Sequence, residues 1–204
     1  MAKYEPKPLL FKNALIGISE KTMVIHHDKL YVGYVNKKNE ISEKLEELEQ
    51  GKKDLASANQ SYSELRALKS GESFAVNGVY LHEYYFNVLG GQGNPVGALA
   101  DAIGERYGSL ENFLKYFKAC GMAARGWAVL AWDTHEAKLN TYSCDAHDQG
   151  GIWGAIPLLV LDVYEHAYFI DYGSDRAKYI DDYLQNLNWD AATAVYAMAR
   201  QIKR

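Results

Sequence analysis

The sequence predicts an α+β fold: an N-terminal helical hairpin lobe, then a lobe of helices around a small antiparallel three-stranded sheet. Three observations predict it. Apolar residues recur at helical spacing through most of the first ninety positions, the period of helices with one buried face. Gly90, Gly91, Gly93 and Pro95 then interrupt the chain, and such a cluster ends a helix and marks a boundary. Near Gly126 the pattern changes to short β-prone runs separated by a turn, which reads as a hairpin with a third strand to follow. The organisation expected is a helical domain over residues 1–90 and an α/β domain over 91–204.

The elements follow in order. Residues 1–18 read as an irregular arm containing Pro6 and Pro8. Ser19 is the expected N-cap of the first helix, with Glu20 at its positive end. Met23, His26, Leu30, Tyr34 and Val35 fall near helical spacing. Ile41, Leu45 and Leu48 extend the stripe to about Gln50, where Gly51 breaks it. Residues 55–68 read as a weaker helix. Residues 74–89 are apolar on nearly every side, as a buried helix is. Helices near 96–107 and 110–124 follow, the second capped by Ser109. Strands are expected at 126–132, 139–143 and 157–163, with a turn at 133–138. The tail, 175–203, reads as two helices broken near Asn188.

Bulk properties narrow the function. The formal net charge is −4 with no basic tract, so nothing here attracts nucleic acid. Cys120 and Cys144 lie far apart, which suits neither a thiolate metal site nor a disulfide framework and permits a reducing compartment. The first residues carry no continuous apolar run, and no stretch reads as a membrane span. A cytoplasmic location is expected. Sixteen tyrosines suit interfaces or a hydrogen-bonded site, since tyrosine is both apolar and polar.

The chemistry concentrates at a few positions. Asp162 ends the apolar run Leu158-Leu159-Val160-Leu161, and a buried carboxylate needs a cation, strong donors or a metal. His166 lies four residues on and converges with Asp162 if the chain turns; a turn-capping Asp beside a core histidine is the plainer alternative. His82 sits inside the all-apolar helix, with Gly78 four residues earlier on the same face. Glycine inside a helix costs about 1 kcal/mol relative to alanine, so an empty position beside a histidine makes sense if another group fits there. His26 occupies the inner stripe of its helix, while His27 is expected on the surface. Three imidazoles and a carboxylate suit iron, manganese or zinc. Spacing alone does not assemble these four.

Asp162-Val163-Tyr164-Glu165-His166-Ala167-Tyr168, followed by Asp171-Tyr172, resembles the signature of the iron/manganese superoxide dismutase family, which has Trp where Tyr164 stands. Residues 18–34 and 77–89 are similar to the family's two ligand helices. Gly126-Trp127, Arg176 and Asn188-Trp189 match further positions, and the resemblance covers about residues 10–200. It implies one iron or manganese ion per subunit, held by His26, His82, Asp162, His166 and a solvent molecule, that disproportionates superoxide. It also implies a gateway role for Tyr34, an active-site tryptophan at Trp127 and an anion-steering arginine at Arg176. A glutamine usually contacts the metal-bound solvent, from a helix position that is Gly78 here or a loop position that is His147. His147 is therefore expected to replace it and to use the space left by Gly78.

The resemblance further implies a homodimer in which Glu165 reaches His166 of the partner subunit, with assembly into a tetramer left open. Leu30 and Tyr31 replace two histidines, and Phe169 replaces a tyrosine that one of them contacts across the dimer. Replacing both ends of a polar contact by apolar groups can be nearly neutral, so Leu30 and Phe169 are expected to pack together, leaving Tyr34 to carry more of the proton relay. Two other readings compete. A mononuclear iron oxygenase with two histidines and one carboxylate would need open coordination positions and an organic-substrate pocket. A catalytically degenerate, metal-binding dimeric homologue would not need to keep Tyr34, Glu165 and Arg176.

Overall fold

Ser19 starts the first helix, α1 (Glu20–Val24), its side chain accepting from the Thr22 N–H. In the computed structural model, which describes residues 3–202, α1 does not run on as a simple α-helix. Ile25–Tyr31 winds as a π-helical stretch, in which the Val32 N–H donates to the His27 carbonyl five residues back. α2 (Val32–Glu49) then resumes the ordinary winding. Wide turns of this kind concentrate at functional sites.

α2 packs along α3 (Glu64–Asn87) to make the helical hairpin. Ile41, Leu45, Leu48 and Ala75 form a small apolar cluster of their own along it. The helix expected at 55–68 does not begin there. Side chains compete for the backbone instead: Asp54 Oδ1 accepts from the Ala56 N–H, and Asn59 Oδ1 accepts from the N–H groups of Ser61 and Tyr62. Ser63 then caps α3 by accepting from the Arg66 N–H, well before the apolar stretch that opens at Phe74.

The second lobe carries α4 (Ala98–Tyr107) and α5 (Leu110–Ala123), the latter capped by Ser109. The sheet comprises β1 (Trp127–Asp133), β2 (Lys138–Cys144) and β3 (Ala155–Asp162), all antiparallel in the order β2-β1-β3. The register sets Trp127 opposite both Cys144 and Asp162. A 3₁₀ turn (Glu165–Ala167) leads into α6 (Phe169–Tyr172). The chain closes with α7 (Arg176–Gln185) and α8 (Trp189–Ala199), capped by Asp175 and Asn188.

One hydrophobic core joins the lobes, drawing Val79 and Tyr85 from α3, Leu159 and Leu161 from β3, and Tyr183 from α7. The arm folds back over the stretch that carries His26 and His27, and this corrects one expectation. His27 is buried, because its Nε2–H donates to the Lys7 carbonyl at 2.8 Å. An irregular arm has no periodicity from which that cover can be read. Among the described residues, no helix is long and apolar enough to cross a membrane.

Candidate metal centre

Four elements deliver four side chains to one buried point. The π-helical stretch brings His26, α3 brings His82, the end of β3 brings Asp162, and the 3₁₀ turn brings His166. One potential ligand atom from each lies within 4.8 Å of every other. The Nε2 atoms of His166, His26 and His82 stand 3.1, 3.2 and 3.7 Å from the same oxygen, Asp162 Oδ2. The side chains of His26, His82 and Asp162 are 0 % exposed and that of His166 is 24 % exposed, so His166 is the member of the set that opens to the surface.

Each donor is oriented from behind. The Tyr164 N–H donates to Asp162 Oδ1 at 2.9 Å, and the Tyr179 hydroxyl donates to the Asp162 carbonyl at 2.8 Å, which leaves Oδ2 facing the imidazoles. His82 Nδ1 lies 2.6 Å from the Gly78 carbonyl, which can only accept. Nδ1 therefore carries the proton, and Nε2 presents a lone pair to the cluster. An acceptor behind a histidine is how proteins fix the tautomer of a metal ligand.

The polar atoms left over fit a metal ion. Among the described residues, the buried side-chain nitrogens and oxygens without a hydrogen-bond partner are His26 Nδ1, His82 Nε2, His147 Nε2 and Trp189 Nε1. Two of the four belong to this set, and of these His82 Nε2 is the one that faces the convergence point, since His26 meets Asp162 through its other nitrogen. A buried lone pair with no donor is costly, and a cation satisfies it. The donor set, nitrogen and carboxylate oxygen without thiolate, suits iron or manganese.

For Asp162, His26 and His82, electrostatics agree with that demand. Burial alone would raise the Asp162 carboxyl, but the imidazoles of His166 and His26 outweigh it and hold the group well below the usual carboxylate range. Burial pushes His26 and His82 down, which keeps them neutral. His166 moves up, because the Asp162 charge outweighs its own burial. A neutral imidazole is the form that ligates metals.

The remaining residues singled out by sequence occupy two places. Trp127, His147 and Tyr34 surround His82, with ring centres 5.1, 5.7 and 5.3 Å from it. Trp127 Nε1–H donates to His147 Nδ1 at 3.0 Å, so the neutral His147 ring carries its proton on Nε2. A Cβ at Gly78 would lie 2.9 Å from Tyr34 Cδ1 and 3.3 Å from His147 Cδ2. The glycine therefore makes room for Tyr34 first and His147 second. Arg176 stands apart, in a cleft of about 630 Å³ that also includes Tyr164, Glu165 and His166. It is fixed there by donating to the Ala124 carbonyl at 2.9 Å and to the Tyr168 hydroxyl at 3.3 Å.

Tyr179 was not visible as a site residue from sequence. It lies seventeen positions from Asp162, and only the packing of α7 against the sheet end brings its hydroxyl there.

Comparison with known proteins ends at the same chemistry. Residues 11–90 match the alpha-hairpin domain model, and residues 95–195 the C-terminal domain model, of iron/manganese superoxide dismutases. An iron superoxide dismutase of Aquifex pyrophilus is 44 % identical over 97 % of this chain and 92 % of its own length. An iron superoxide dismutase of Cupriavidus metallidurans is 39 % identical over 96 % of this chain and 98 % of its own. A manganese superoxide dismutase of Halobacterium salinarum is 36 % identical over 98 % of each.

Proposed function

The chain belongs to the iron/manganese superoxide dismutase family, and on that premise we propose that His26, His82, Asp162 and His166 hold its redox ion. The reaction converts two superoxide anions and two protons into oxygen and hydrogen peroxide. The observation that carries the ligand assignment is the convergence of three Nε2 atoms on Asp162 Oδ2, with His82 Nε2 buried and otherwise without a partner. Bound there, iron or manganese supplies a one-electron couple that accepts an electron from one superoxide and returns it to the next.

The chain's own residues supply charge, protons and access. Asp162 brings a negative charge that offsets part of the ion's, held in place through Tyr164 and Tyr179. His147 offers Nε2–H as a donor because Trp127 occupies Nδ1, and burial lowers its pKa to about 4, so the ring stays neutral near pH 7. A group in that position tunes the ion through its bound solvent. The Tyr34 hydroxyl is raised by burial and by the Asp162 charge, so it keeps its proton until the reaction draws on it. Arg176 sets a fixed cation in the cleft beside His166, which favours entry of an anion.

The same face suits a second copy of the chain. Glu165 is exposed beside His166, and Phe169 and Ile170 leave apolar surface next to it, 54 % and 43 % exposed. We place Glu165 of each subunit against His166 of the partner subunit, with Leu30 packing on Phe169 across the two-fold. The free thiols of Cys120 and Cys144 suit a reducing compartment and support a cytoplasmic location.

The test is reconstitution with iron and with manganese separately, followed by a superoxide assay of wild type and Asp162→Ala. One ion per chain with activity in the wild type, and loss of both in the variant, is expected. A variant that keeps its ion and its activity would overturn the ligand assignment.

A further inference from the structure

Glu83 directly follows His82 on α3, and its side chain is 13 % exposed. The carboxylate gathers three donors. Tyr31 OH donates to Oε1 at 2.9 Å, Tyr4 OH donates to Oε1 at 2.8 Å, and Lys7 Nζ pairs with Oε2 at 2.5 Å. Tyr31 is fully buried and is the last residue of the π-helical stretch that carries His26. Its hydroxyl also accepts the Lys7 N–H at 2.9 Å. Lys7 closes the circuit, because its carbonyl accepts from His27 Nε2.

One carboxylate thus joins three segments: the helix of His82, the stretch of His26 and the arm. Apolar contact between two helices tolerates small slips, whereas a satisfied, charge-assisted network has a single geometry. The need is real here, since a π-helical winding is a local departure from the regular helix and its rotation against α3 decides where His26 points.

We propose that Glu83 is a positioning residue of the metal centre, which by bonding Tyr31 sets the π-helical stretch against α3 and so presents His26 and His82 together to Asp162. Lys7 and Tyr4 hold the carboxylate from the arm side. The proposal rests on the reading that these side chains bind iron or manganese, and it adds a group that touches neither ion nor substrate.

The test uses the iron-loaded protein and the variants Tyr31→Phe and Glu83→Gln. Tyr31→Phe removes the hydroxyl contacts but keeps the ring packed against Phe86, 5.9 Å between centres, so it decides the matter alone if Glu83→Gln does not fold. Tyr62→Phe, at an 87 % exposed position outside the network, is the control. Iron release to excess chelator and the ferric electron paramagnetic resonance spectrum are measured beside Tm. Loss of a group bonded directly to a metal ligand weakens binding by about 10- to 100-fold, which is the upper bound for Glu83 and Tyr31, one contact further out. Both variants are expected to release iron several-fold faster, within that bound, and to show an altered ferric spectrum, with the control unchanged. A lower Tm with wild-type release and spectrum would reduce the network to a strut and overturn the proposal. A wild type that takes up no iron or manganese would overturn the metal reading and this proposal together.

Discussion

Replacing Gly78 with alanine probes whether the space beside His82 is already taken. A Cβ there would meet Tyr34 Cδ1 and Cγ at 2.9 and 3.0 Å and His147 Cδ2 at 3.3 Å. Two of these atoms lie at the root of the Tyr34 ring, so relief requires the whole ring to move. Overpacking of this kind costs about 1–3 kcal/mol. Alanine's better helix propensity returns about 1 kcal/mol, so the net change lies between nothing and a loss of about 2 kcal/mol. Gly104 in α4 is the internal control, because a Cβ there meets nothing within 4 Å. Gly104→Ala should stabilise by about 1 kcal/mol, or roughly 2–4 °C in Tm for a chain of this size. Thermal unfolding of metal-matched proteins should therefore show Gly104→Ala rising while Gly78→Ala stays level or falls. Turnover should drop only in Gly78→Ala, since that Cβ displaces both Tyr34 and His147. An equal rise in Tm for the two variants, with turnover intact, would refute the reasoning.

His147→Gln should retain most activity, because an amide can accept from Trp127 Nε1 and still donate; His147→Leu should lose activity and leave that indole N–H buried without an acceptor, costing about 1–3 kcal/mol in chemical denaturation. The same histidine carries a pH signature. Its folded pKa of about 4 lies below the ordinary 6.5, so the unfolded chain binds the proton first and stability falls as the pH drops. Its contribution is whole above about pH 6.5 and is lost as the pH falls through 4, by at most roughly 3 kcal/mol. Denaturation of wild type beside His147→Gln from pH 7 to 4 should show the shallower decline in the variant; equal slopes would contradict it. On the proposed dimer, wild type should sediment as a dimer and Phe169→Glu as a monomer at micromolar concentration, because a charge at a 54 % exposed apolar position would be buried without a partner in that interface. An unchanged dimer would move the interface elsewhere.

Much of the fold was legible because local chemistry and burial agree. Ser19 and Ser109 cap the helices they precede, Gly90 and Gly91 follow the buried helix, and the β1–β2 hairpin follows the switch to short apolar runs. The discrepancies have particular causes. One wide turn leaves the apolar stripe from Met23 to Val35 intact, so the π-helical stretch gives no periodic signal. The first ten residues of α3, Glu64 to Ser73, are largely polar or charged and include Gly71, which hides a helix whose apolar part begins at Phe74. His27 looked like a surface residue because its cover is an irregular arm. At the site, the buried strand-end carboxylate and the histidine beside an empty helix position were visible in the chain. The set of four was not, because His26 and Asp162 are 136 positions apart and no spacing rule spans that distance; resemblance alone brought them together.

Anomalous diffraction at the iron and manganese absorption edges, on crystals of protein purified from its own source, tests the central assignment most directly. The expected result is a single iron or manganese peak per chain, within bonding distance of His26 Nε2, His82 Nε2, Asp162 Oδ2 and His166 Nε2. A peak elsewhere, or no such peak in protein that destroys superoxide, would contradict it.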